Sequence, residues 1–186
     1  MKRWVKKVLL KRGWSLSRVP AKELNITIPS REVKKVNEII DSFSQATAHT
    51  DLQNPKKIKG YLTVERRQLF HDLVRICESE GISFEDKHVG DVGCGMGYLF
   101  RVLDGKNANQ LTGYDTYSEI LDLAKEIAPK AEFKSGRLYE VNGSFDVLFC
   151  MEVLEHMTFP EKAIQHLINQ LKSLPLPGHP FLEVLQ

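Results

Sequence analysis

From residue 87 onward the chain is built of short apolar runs of strand length, alternating with segments whose apolar residues recur at helical spacing. His88–Val92, Gln110–Tyr114, Ala131–Lys134, Phe145–Met151 and Phe181–Leu185 read as strands, and Tyr98–Leu103, Ser118–Ile127 and Pro160–Leu171 as helices. A helix between two strands crosses over the sheet and makes them parallel, so residues 87–186 are expected to form an α/β core with a doubly wound, mostly parallel sheet. Sheets of this kind take ligands beyond the carboxyl ends of their strands. The residues that follow each strand are therefore where chemistry is expected.

Residues 1–86 read as a helical extension that precedes this core. Arg31–Phe43 carries Val33, Val36, Ile39 and Ile40 on one face. Tyr61–Glu80 repeats the pattern with Leu69, Phe70, Leu73, Val74 and Cys77, and Gly81 stops it. Between them Ser44–Lys59 is polar and turn-rich, punctuated by Asn54-Pro55, and residues 13–30 read as an irregular connector. Residues 2–12 place Trp4, Val5, Val8 and Leu9 on one side of a short basic amphipathic helix. That helix is expected either to pack its Trp4 stripe on its own domain or to make a weak membrane-surface contact.

Charge narrows the partners. The first twenty residues hold Lys2, Arg3, Lys6, Lys7, Lys11, Arg12 and Arg18 with no acid, yet the formal net charge of the 186-residue chain is only +2, too small to point to nucleic acid. Cys77, Cys94 and Cys150 are odd in number and lack CxxC spacing, so neither a disulfide framework nor a zinc site is indicated, and a reducing, cytoplasmic setting is expected. No apolar run approaches bilayer length, and Lys11-Arg12 closes Val8–Leu10 before a signal-peptide core can form.

The first strand runs into Val89-Gly90-Asp91-Val92-Gly93-Cys94-Gly95-Met96-Gly97. Alternate glycines remove the Cβ atoms where strand turns to helix, so a ligand can approach the backbone. A dinucleotide fingerprint would need Gly or Ala where Tyr98 stands, and a Walker loop would need a Gly-Lys pair that is absent. What remains is Asp-x-Gly-x-Gly-x-Gly. The second strand ends at Asp115, about twenty residues on, where a carboxylate can accept both hydroxyls of a ribose. Asp115 as the cap of the following helix is the competing reading.

These residues resemble the class I, Rossmann-like S-adenosylmethionine-dependent methyltransferases. The likeness extends to Phe145-Asp146-Val147-Leu148-Phe149-Cys150-Met151-Glu152-Val153-Leu154-Glu155-His156, which is similar to the family's fourth-strand signature. Nearest in character are the small-molecule O-methyltransferases that include the ubiquinone-biosynthesis type. Gly13-Trp14 with Arg18-Val19-Pro20 is also similar to bacterial methyltransferases associated with cell-surface glycans. The resemblance implies S-adenosyl-L-methionine as cofactor, with Gly93, Cys94, Gly95 and Gly97 lining its methionine part. Asp91 would orient the loop and the methionine ammonium, and Asp115 would hold the ribose. Arg137 stands where the family often has an adenine-binding acid, which leaves adenine to backbone groups around Arg137-Leu138 or to stacking by Arg137. Cys150 and Glu152 would face the methyl-transfer centre.

The implied reaction is displacement at a sulfonium methyl, with a small-molecule or glycan hydroxyl or amine as acceptor. His156 is the candidate base, against the plainer reading of a histidine bonded to the backbone at a helix start. Glu152-x-x-Glu155-His156 is similar to the metal-binding group of small-RNA 2′-O-methyltransferases, but that family needs a further histidine, for which only His166 and His179 remain. No metal is expected. The family's sheet has seven strands and five are found here, so the core is expected to be C-terminally incomplete, with an open edge at Phe181–Leu185 that favours self-association. A non-catalytic scaffold that keeps the cofactor fold is the alternative. Finally, Cys94 and Cys150 follow neighbouring strands and are expected to lie near each other at the cleft.

Overall fold

A computed structural model describes residues 28–46 and 55–172; the expectations for residues 2–12, Gly13–Pro20 and Phe181–Leu185 lie outside the described residues. Among the described residues three helices come first: α1 (Ser30–Ala46), α2 (Pro55–Tyr61) and α3 (Val64–Ser79). The core follows as β1 (His88–Val92), α4 (Tyr98–Leu103), β2 (Gln110–Asp115), α5 (Ser118–Ile127), β3 (Glu132–Ser135), β4 (Val147–Cys150) and α6 (Pro160–Ile168). Short 3₁₀ turns lie at Leu138–Glu140 and Leu154–His156. No described helix is long and apolar enough to cross a membrane.

Among the described residues all strand pairs are parallel and the order is β3-β2-β1-β4. The chain moves outward from β1 through β2 to β3, then returns past β1 to lay down β4 on its other side. The strand order thus reverses between β1 and β4, and in open α/β sheets the crevice at that reversal is where ligands bind. The doubly wound parallel sheet read from the sequence is the one observed. Side chains alternate across it. Val89, Leu111 and Phe149 face a cluster that also takes Val36 and Ile40 of α1, Leu73, Val74 and Cys77 of α3, and the inner faces of α4 and α5. Val92, Tyr114, Leu148 and Cys150 face a second cluster under α6, with Leu138, Leu154, Ala163 and Leu167.

The helix expected over Tyr61–Glu80 is α3, which starts at Val64 because Tyr61 ends α2, and the described ends of the segment expected to be turn-rich, residues 44–46 and 55–59, are helical. α1 runs on to Ala46, and α2 begins at Pro55, whose missing N–H costs nothing at a first helical position. Thr63 separates α2 from α3: it is extended (φ −64°, ψ 166°), and its hydroxyl accepts the Arg66 N–H at 3.3 Å as an N-cap. Apolar spacing carries across this break and hides it. β4 is shorter than Phe145–Met151. The Asp146 carboxylate accepts the His88 N–H at 2.8 Å, and the fully buried Phe145 forms a parallel bridge with Leu171, which lies beyond the end of α6.

A buried arginine joins the helical extension to the core. Arg67 is 1% exposed. It donates to the Leu62 and Val33 carbonyls at 3.0 and 3.2 Å and to Asn37 Oδ1 at 2.6 Å. Its guanidinium lies 5.9 Å from the ring centroid of Tyr98, the residue that follows the glycine loop. Arg101 and Glu32 add a two-pronged ion pair between α4 and α1, at 2.8 and 3.2 Å.

Candidate functional site

The glycine loop leaves β1 at the strand-order reversal and is tied to β2. The Gly93 and Cys94 N–H groups donate to the Tyr114 carbonyl at 2.8 and 3.1 Å. Gly93, Gly95 and Gly97 all have positive φ, at 80°, 49° and 68°. The space beside Gly95 is open for 4 Å where a Cβ would stand, whereas Gly93 is covered by Val153 Cγ2 and Gly97 by the Phe133 ring. Of the three, Gly95 presents a bare backbone to an incoming ligand.

Asp115 ends β2 with both oxygens engaged. Oδ2 accepts the Gly95 N–H and Oδ1 the Tyr117 N–H, each at 2.9 Å, and the Asp115 carbonyl accepts the Gly136 N–H at 3.0 Å. It caps the turn into α5 through Tyr117 and holds the glycine loop at the same time. Each carboxylate oxygen retains a further lone pair, so the group can still accept from hydroxyls. The Gly136 bond also brings the loop after β3, with Arg137, to the same end of the sheet. The Arg137 N–H donates to Glu140 Oε2 at 2.7 Å, while the Leu138 side chain is buried in the cluster under α6.

Asp91 is 2% exposed, and its Oδ1 has no hydrogen-bond partner among the described residues. Burial, and then the charge of Asp115, push its carboxyl up to about 7. Folding thus tightens the hold of Asp91 on its proton. Its contribution to stability is present below the ordinary carboxylate range and is lost as pH rises through about 7. Only its ionised form would need a cation beside it.

The chain leaves β4 through Glu152, whose φ of 56° is left-handed and rare for a residue with a side chain. Glu152 is exposed, and this turn is what lays Val153 over Gly93. Sequence reasoning quoted Val153 only as a letter of the motif; its signal was its place three residues beyond β4, next to the glycine loop. His156 is exposed (77% of its side chain), with Nε2 4.0 Å from Glu155 Oε1. Glu155 Oε2 is buried with no hydrogen-bond partner among the described residues. Among the described residues no three His, Cys, Asp or Glu groups converge as a metal set. His166 is occupied elsewhere, its Nε2 3.0 Å from the Val141 carbonyl.

The two cysteines do not meet as expected. Cys94 packs over Gly113 in the cluster under α4 and α5, and Cys150 points into the cluster under α6. Residue parity explains this: Cys150 is on the same face as Val92, opposite Asp91. Asp91 raises both thiols from either side, after burial, with Cys150 pushed up to about 12. Both are expected to resist iodoacetamide at pH 8 until denaturant is added. Labelling of the folded protein at the rate of a free thiol would place one of them at the surface.

Comparison with known proteins follows this geometry. A family model described as a methyltransferase domain matches residues 90–174. The mitochondrial ubiquinone biosynthesis O-methyltransferase of Saccharomyces cerevisiae is 34% identical over 103 residues, covering 51% of this chain and 32% of that protein. Its counterpart from Schizosaccharomyces pombe is 33% identical over 147 residues, covering 74% of this chain and 52% of the relative. The chain thus spans about a third to a half of the length of the curated relatives it matches. In fold it is similar to magnesium protoporphyrin IX methyltransferase from Synechocystis PCC 6803 (TM-score 0.53, 20% identity, 76% of this chain and 62% of that one). Residues 90–174, which carry the Asp91–Gly97 loop and Asp115 at a strand-order reversal, thus match a methyltransferase domain, on a fold similar to that of the class I, Rossmann-like S-adenosylmethionine-dependent methyltransferases.

Proposed function

We propose that the chain binds S-adenosyl-L-methionine beyond β1 and β2 and serves methyl transfer to a hydroxyl or amine of a small-molecule acceptor. The observation that carries this reading is the unpartnered, buried Asp91 beside a glycine loop that Asp115 already holds open. The residues fit the cofactor: Asp91 would take its ammonium, the bare Gly95 backbone its methionine chain, and Asp115 its ribose hydroxyls. When bound, the cofactor supplies a sulfonium whose methyl carbon is electrophilic. The protein's part is to orient the acceptor in line and keep water out. His156, at the exit of β4 beside Glu155, would receive the acceptor's proton, and Glu152 would face the methyl-transfer centre. The relatives named for ubiquinone biosynthesis support an oxygen on a small organic acceptor over a glycan.

Asp115→Ala is expected to weaken S-adenosylmethionine binding by about 10- to 100-fold in isothermal titration, the worth of a charge-assisted acceptor. Unchanged affinity would sink the ribose assignment. Methyl transfer is then screened over phenolic, amine and glycan acceptors. Cofactor binding with no transfer to any of them would assign the chain to the scaffold reading instead.

A further inference from the structure

Asp91 sits where a fixed negative charge is hard to keep. From β2 it faces Gly113 in register and the carboxylate of Asp115 beyond it. From β4 it faces Phe149 in register, and the thiol of Cys150 lies on the other side of the sheet. From the glycine loop it meets Cys94. Glu155, beyond β4, adds negative charge on the Cys150 side. These neighbours are apolar, neutral or negative.

We propose that Asp91 carries a proton in the ligand-free chain and surrenders it when a cationic amine settles at its unpartnered Oδ1, so that cofactor binding and proton release are one coupled event. The inference rests on the function proposed above and adds a proton to its balance. The neutral carboxylic acid becomes a carboxylate, the incoming ammonium keeps all of its protons, and one proton passes to solvent. The energetic logic is local. Ligand-free, the neutral acid avoids an uncompensated buried charge beside Asp115. With the ammonium in place, the ionised form gains a charge-assisted hydrogen bond in a water-poor site. The carboxyl's midpoint of about 7 places the exchange within the neutral range. Affinity is then expected to fall as pH drops below 7, approaching tenfold per pH unit for a single proton. An α-amino group holds its own proton up to about 7.7, so this acid limb belongs to Asp91 and not to the ligand.

The test uses the full chain with S-adenosylhomocysteine, which has the same amine, titrated between pH 5.5 and 7 in two buffers of unlike ionisation heat. The expected result is affinity more than about tenfold weaker at pH 5.5 than at pH 7, with close to one proton released per ligand at pH 6. In Asp91→Asn, affinity is expected to be lower and flat with pH. A flat profile in the natural chain, or a slope that survives in Asp91→Asn, overturns the coupling while leaving the function standing. No binding at any pH overturns the function and the coupling with it. A ligand-independent measurement guards against a variant that fails to fold: carboxyl-carbon NMR of ligand-free protein should show Asp91 titrating near 7. A midpoint below about 5 overturns the proposal.

Discussion

Arg67→Ala is expected to destabilise the protein by roughly 3–5 kcal/mol in urea or thermal denaturation. Three acceptors lose their donor at once: the Leu62 and Val33 carbonyls and Asn37 Oδ1. Hydrogen bonds from a charged group are each worth about 1.5–3 kcal/mol, and acceptors stranded in a buried site cost more than those that can turn to water. The guanidinium also fills volume beside Tyr98, so truncation leaves a cavity behind the residue that follows the glycine loop. Against a typical domain stability of about 5–15 kcal/mol this is a large share. Arg67→Lys keeps the charge but not the fork, and should fall between the natural chain and Ala. A loss under about 1 kcal/mol for Arg67→Ala would mean that apolar packing alone seats α1 on α3.

Gly97→Val and Gly95→Ala are expected to separate folding from binding. Gly97 has φ 68°, and a Cβ there would come within 2.6 Å of Phe133 Cζ and 3.2 Å of the Ala124 Cβ. A β-branched residue in the left-handed region costs roughly 1–2 kcal/mol of backbone energy, and overpacking roughly 1–3 more. Melting temperature should fall steeply in this variant. Gly95 has φ 49° but open space where its Cβ would stand, so Gly95→Ala costs the fold only about 1–2 kcal/mol. Its methyl group occupies the approach a ligand needs, so cofactor affinity should drop out of proportion to stability. Equal effects of the two variants on both quantities would show that the open face of Gly95 is not the ligand's path.

The parts legible in the sequence were those whose signals are local. β1, α4 and α5 run between the residues read from apolar spacing, because glycines and a strand end bound them closely. The glycine loop and Asp115 were legible as letters, and their placement at one end of the sheet follows from the order of strands and helices. Arg67 was not legible. In Glu65-Arg66-Arg67-Gln68 nothing local tells the exposed arginine from the one that becomes nearly inaccessible, and only the packing of α1 across α3 decides it. The separation of Cys94 from Cys150 likewise depends on register: once Val92 pairs with Cys150, the cysteine must point away from the face that Asp91 shares with Val89. The state of Asp91 is tertiary in the same sense, since a sequence shows an acid but not its burial beside Asp115.

The backbone bond that Asp115 accepts from Gly95 has a bearing on how long a ligand stays. The loop that would receive a ligand is held in shape from β2 before any ligand arrives. The ordering entropy of those residues is therefore lost during folding, and an arriving molecule meets a preorganised surface that does not have to be assembled around it. Association then approaches docking onto a rigid body, with little lag for rearrangement, and differences in affinity among loop variants fall chiefly on residence time. A carboxylate that steadies the loop through one pair of atoms thus sets how long a visitor stays more than how quickly it comes.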